Sequence, residues 1–161
     1  VYMVPLYSTL VSLKWHNTYQ GIILPSLLTG FSVFMMRQFM QSVPNDYLDA
    51  ARVDGFSEFD IYFRVAIPLI KPAIATVAAL HFIGSWNEFL WPLIIINKPR
   101  LMTLPLGLQF LLSKYGAEYQ GLPLWNLIMS ASLITMLPTV LIFIVMQKYV
   151  IQGITMTGLK G

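Results

Sequence analysis

No charged residue occurs between Tyr119 and Gln147. That run of 29 residues exceeds the roughly 20 apolar residues that carry an α-helix across the hydrocarbon core of a bilayer, and a water-soluble fold could make no surface from it. The rest of the chain agrees. Hydrophobic residues make up 57%, charged residues 11%, and the mean hydropathy is +0.67, against about 25% charged residues in soluble domains. The sequence therefore reads as an integral membrane protein.

Four apolar segments are expected, at Val1 to Leu13, Tyr19 to Met40, Pro72 to Ile96 and Leu122 to Met146. As a helix the first would reach only about 20 Å at 1.5 Å per residue, which is too short to cross. It lacks a basic leader and a small-residue cleavage site, so the expectation is a fragment whose earlier helices lie upstream. The fold class expected is all-α: a polytopic membrane helical bundle of about four segments, the first incomplete, forming the C-terminal part (1–161) of one transmembrane domain.

Alternating spans put Arg37, Arg52, Arg64, Lys71, Lys148 and Lys160 on one side and Lys14, Lys98, Arg100 and Lys114 on the other. The excess of bases points to a cytoplasmic central loop. Trp86, Trp91 and Trp125 fall near the opposite ends of the last two spans, where interfacial aromatics stand. The bases are scattered singly, so no nucleic-acid partner is expected. With no cysteine, disulfides, thiol catalysis and thiolate metal sites are excluded. The run LPLGLQFLLSKYG between Asn97 and Gly121 is too short to span. It reads as an interfacial or re-entrant helix, or as a loop packed on its neighbours.

The acids are not scattered. Asp46, Asp49, Asp54, Glu58 and Asp60 are five of the seven acidic residues in the chain, and all lie in the central loop, at about 44–67. Asp46 can cap a helix that carries Asp49 at its third position. Gly55 can end that helix in the left-handed conformation, and Ser57 with Asp60 can cap a second one, with Phe56 and Ile61 as a hydrophobic staple. Ala50, Ala51 and Gly55 keep one part small enough for another surface to approach. On helical signals alone, a solvated loop with chance capping residues explains the segment equally well.

The pattern Asp49-Ala50-Ala51, Gly55, Val65-Ala66-Ile67-Pro68 resembles the EAA motif of binding-protein-dependent ABC importer permeases, which is Glu-Ala-Ala, three residues, Gly, nine residues, then Ile-x-Leu-Pro. Asp replaces Glu, Val replaces Ile and Ile replaces Leu. Pro68-Leu69-Ile70-Lys71-Pro72, Trp86-Asn87-Glu88-Phe89, Thr103-Leu104-Pro105-Leu106-Gly107-Leu108 and the ending Gln152-Gly153-Ile154-Thr155, Gly158-Leu159-Lys160-Gly161 resemble the carbohydrate-uptake branch, represented by the second permease of maltose-type importers. The resemblance covers nearly the whole chain in order.

It implies a non-catalytic permease of a bacterial-type inner membrane, with loop and C-terminus cytoplasmic. Asp49, Ala50, Ala51, Asp54, Gly55, Val65, Ile67 and Pro68 would couple to separate ABC ATPase subunits. Gln152, Gly153 and Lys160 would add a tail contact. ATP-Mg would sit on the ATPase and no cofactor on this chain. A second permease subunit, an extracytoplasmic sugar-binding protein and membrane lipid complete the implied partners.

Inside the third apolar segment, His81 and Glu88 are seven apart, roughly one helical face, and ionisable groups at membrane depth are functional candidates. Glu88 reads equally as an interfacial carboxylate, and His81 as a hydrogen-bonded interhelical residue. Trp86 and Asn87 offer an aromatic face and polar atoms for a sugar, although anchoring at the interface suits Trp86 as well. A proton-coupled transporter using Glu88 or His81 is the alternative class. An intramembrane enzyme has little to stand on, because HExxH, GxSxG and GxxxxGK[ST] motifs are absent. No catalytic or metal-ligating set is expected.

Overall fold

A computed structural model describes residues 2–27, 29–115 and 125–158. Helices account for most of them, and no strand occurs among the described residues. The order is α1 (Met3–Ser12), α2 (Tyr19–Ile23), α3 (Gly30–Gln41), α4 (Asn45–Val53), α5 (Glu58–Asp60), α6 (Ile67–Leu69), α7 (Lys71–Trp86), α8 (Leu90–Ile95), α9 (Leu104–Tyr115) and α10 (Trp125–Gly158). A π-helical turn, Ile61–Ala66, joins α5 to α6.

Two helical stretches are long and apolar enough to cross a membrane, Tyr19–Gln41 and Trp125–Tyr149. A third qualifies if Glu58–Leu69 and Lys71–Trp86 are taken together, although they meet at 73°. The 10-residue α1 is apolar but short. The second expected segment contains a 3₁₀ turn at Leu24–Ser26 and a fresh start at Thr29, whose hydroxyl accepts from the Ser32 N–H at 3.1 Å.

The third expected segment is not one helix. It stops at Trp86 and restarts at Leu90. The last helix is longer than expected and runs through Gly153 to Gly158. Gly153 lies inside it, at a glycine's modest cost of about 1 kcal/mol in a helix. Lys160 lies outside the described residues.

The chain divides into two compact units. In one (1–28 and 83–141), Leu10, Trp91, Ile95, Ile96 and Leu106 form the core. A polar latch crosses its surface. Asn17 adopts φ 55°, and its Oδ1 accepts the backbone N–H groups of Asn97 (2.6 Å) and Lys98 (3.1 Å). Trp91 Nε1 donates to the Gly21 carbonyl at 2.9 Å.

In the other unit (29–82 and 142–161), the end of α3 meets the start of α7 through Phe39, Val43, Ile70, Ala73 and Val77. The central loop leaves from this base at Val43 and returns to it at Ile70, with Leu48 and Ile67 packed on the same cluster.

Candidate docking site

Pro44 (φ −62°, ψ 135°) starts α4 at Asn45. Asp46 is consequently in the first turn rather than at the cap, and no side chain caps this end. The reason is the proline: its fixed φ preorganises the turn two residues early. Asp46 still faces the positive end of the helix dipole, and Arg52, in the last turn, faces the negative end.

The helix closes in a Schellman motif. The Gly55 N–H donates to the Arg52 carbonyl at 3.0 Å and the Phe56 N–H to the Ala51 carbonyl at 3.1 Å, with Gly55 at φ +82°. Ser57 then caps α5: its hydroxyl accepts from the Asp60 N–H at 3.2 Å and donates to Asp60 Oδ2 at 2.6 Å. Ahead of Pro68, which has no N–H to give, the backbone widens into the π turn. The loop is thus two helical pieces about a glycine bend, as its local signals suggest.

Arg52 ties the two pieces together. Its Nη1 donates to Asp49 Oδ1 at 2.6 Å, while Nε and Nη2 donate to Glu58 Oε1 and Oε2 at 2.9 and 3.4 Å. Arg64 pairs with Asp60 at 3.1 Å. The Arg52 hydrogen bonds hold the Glu58 carboxyl below its usual range, and the pair raises Arg52 in turn. The Ser57 hydroxyl, followed by the charge of Arg64, lowers Asp60.

Among the residues of the EAA-like pattern, Ala51 is only 6% exposed. It lies on the side where α4 packs against the π turn, whose Ile61 is 3% exposed. Its small side chain is used in the loop's own packing. Val65 and Ile67 are half-buried, whereas Asp49, Ala50, Asp54, Gly55 and Pro68 are exposed. The pattern overlooks two residues: Val53 and Phe59 stand out on either side of the bend at 88% and 80% exposure. Their only sequence signal is an apolar residue within a charged stretch.

The other candidates are engaged differently. Glu88 lies beyond the end of α7, so its spacing from His81 does not put the two on one helical face. Its Oε1 accepts the N–H groups of Leu90 (3.0 Å) and Trp91 (3.2 Å), capping α8. Asn87 Nδ2 turns back to the Ile83 carbonyl at 2.8 Å, and Trp86 Nε1 donates to the Thr135 carbonyl at 2.9 Å. Trp91 is a core residue, 7% exposed, and does not stand at a surface as an interfacial aromatic would. His81 is half-buried on α7. A cavity of about 350 Å³ lies beside Thr135, lined by Met102, Thr103, Leu108, Ala131 and Ile134 among others. Its lining is mostly apolar and offers few directional groups for hydroxyls. Gln152 and Gly153 lie within α10.

Residues 1–156 match the protein family described as binding-protein-dependent transport system inner membrane component. The chain is similar to the arabinooligosaccharides transport system permease protein AraQ of Bacillus subtilis (strain 168), 43% identical over all 161 residues and 55% of the relative. It is similar also to AraQ of Halalkalibacterium halodurans, 38% identical over 161 residues and 56% of that protein. The sn-glycerol-3-phosphate transport system permease protein UgpE of Pectobacterium atrosepticum is 32% identical over 154 residues, 96% of this chain and 53% of the relative. The chain spans about half the length of the curated relatives it matches.

Proposed function

Because the chain belongs to the family of binding-protein-dependent transport system inner membrane components, we propose that it is part of the transmembrane subunit of an ATP-driven sugar importer, coupled to a separate ATPase through the loop at 44–67. The observation that carries this reading is the loop itself. It is a capped and ion-paired double helix anchored at both ends to the packed base of α3 and α7, so a force on it reaches the membrane helices. Exposed Val53, Phe59, Ala50 and Asp54 are the face it offers. Arabinooligosaccharides, named in the AraQ relatives, are the first solute class to try.

In this reading the loop and the C-terminus are cytoplasmic, and Gln152, Gly153 and Lys160 add a second contact with the ATPase. ATP-Mg is bound and hydrolysed by the ATPase alone. A second permease supplies the other wall of the path, and an extracytoplasmic sugar-binding protein delivers the solute. Nothing favours proton coupling through Glu88, whose carboxylate oxygen is used in capping α8.

None of residues 1–161 is a cysteine that would have to be replaced before the test. In the full-length permease, a single cysteine at Ala50 or Val53 should crosslink to the ATPase subunit. It should also react with an impermeant maleimide only in inside-out vesicles. Labelling only from the extracytoplasmic face would overturn the topology, and a crosslink to no ATPase would overturn the coupling role.

A further inference from the structure

The Schellman turn fixes where the chain reverses and the packing of α4 on the π turn holds the far end of the second piece, but at the bend itself Phe56 and Ser57 form a linker with Ser57 extended (φ −69°, ψ 158°). Among the described residues, one ion pair crosses the bend, from Arg52 to Glu58; the Asp49 and Arg64 pairs are local, at spacings of three and four. The geometry of that pair is specific. Arg52 sits in the last turn of α4 and Glu58 in the first turn of α5, so each also complements the dipole of its own helix. Two guanidinium nitrogens fork onto the Glu58 carboxylate, and the third holds Asp49. A lysine could not reproduce that fork.

We propose that Arg52 is a positioning residue of the coupling loop: by holding Asp49 and Glu58 together across the Gly55 bend, it sets the angle between α4 and α5 and with it the spacing of Val53 and Phe59. The inference rests on the coupling role proposed above. Both partners are open to water, at 47% and 73% side-chain exposure, so the clamp responds to salt.

The test uses the full-length permease with spin labels on cysteines replacing Tyr47 and Phe63, which flank the bend and are 56% and 63% exposed. Pulsed dipolar spectroscopy should give a narrow distance distribution. It should broaden in Arg52→Gln and in Glu58→Gln, broaden no further in the double variant, broaden partly in Arg52→Lys, and broaden in roughly 1 M KCl, where screening acts within about 3 Å. Recovery of the ATPase with the affinity-tagged, unlabelled permease should fall in the single variants by about two- to five-fold, the scale of an exposed ion-pair network. An unchanged distribution, or additive broadening in the double variant, would overturn the clamp. Broadening with unchanged ATPase recovery would overturn its role in positioning. If the unsubstituted permease recovers no ATPase, the coupling reading fails, while the distances still report on the clamp by themselves.

Discussion

Two glycines mark where a single carbon atom would matter most. A Cβ on Gly21 would fall inside the van der Waals envelope of the Trp15 backbone carbonyl. Gly21→Ala must therefore displace the turn ahead of α2, and with it the carbonyl that Trp91 Nε1 uses. Forced overpacking costs typically about 1–3 kcal/mol, so thermal unfolding of the detergent-purified protein should begin several degrees lower; an unchanged midpoint would show that the turn yields freely. Gly55 has open space around it but stands at φ +82°. A β-branched side chain there costs about 1–2 kcal/mol, and Gly55→Val should lower uptake more than membrane insertion. Equal losses of both would indicate plain misfolding. Titration adds a sign. Glu58 and Asp60 are lowered from their ordinary values of 4.5 and 3.8, so their contribution to the loop is complete above those values and is lost as pH falls through the lower folded ones. Hydrogen exchange across 45–66 should hold steady from neutral pH down to about 5 and then accelerate in acid, after correction for the intrinsic rate.

Among the helices, what the sequence reveals depends on how far away the determining partner lies. Ser57, Gly55 and Pro68 act on residues within five positions, and each does in space what its type suggests. Asp46 loses the cap to Pro44 because two start signals compete two residues apart, and the proline decides the register. The interruption at 87–89 is hidden in a continuous apolar run, since the capping atom belongs to a glutamate that also reads as a membrane-depth acid. The latch of Asn17 and the Trp91 to Gly21 bond join positions 70 to 81 residues apart, and no local periodicity encodes them. Glu88 permits a sharp prediction. Glu88→Gln keeps a carbonyl oxygen that can accept from Leu90 and Trp91, so uptake of arabinooligosaccharide should survive; Glu88→Ala should lower it by removing the cap, worth about 1 kcal/mol. Loss of uptake in the glutamine variant would instead point to proton carriage.

For the molecule as a whole, the described helices that can cross a membrane are too few to surround a polar solute, whose unpaired hydroxyls would each cost several kcal/mol in hydrocarbon. Under the proposed function, in which a separate ATPase hydrolyses the nucleotide, the full-length permease alone in liposomes should show no ATP-driven uptake of arabinooligosaccharide, and uptake should appear only when ATPase, second permease and binding protein are added. Transport by the single subunit would overturn that division of labour. The angle of 73° between 58–69 and 71–86 also has a mechanical reading. At 1.5 Å per residue the twelve residues of the outer piece form a crank about 18 Å long, set nearly square to the shaft that α7 makes. Pushing the crank's tip along the shaft would tilt α7, whereas pushing it sideways would turn α7 about its own axis, by roughly 3° for each ångström at that radius. The direction in which a partner moves this tip, more than how far it moves, would then decide whether α7 leans or rotates.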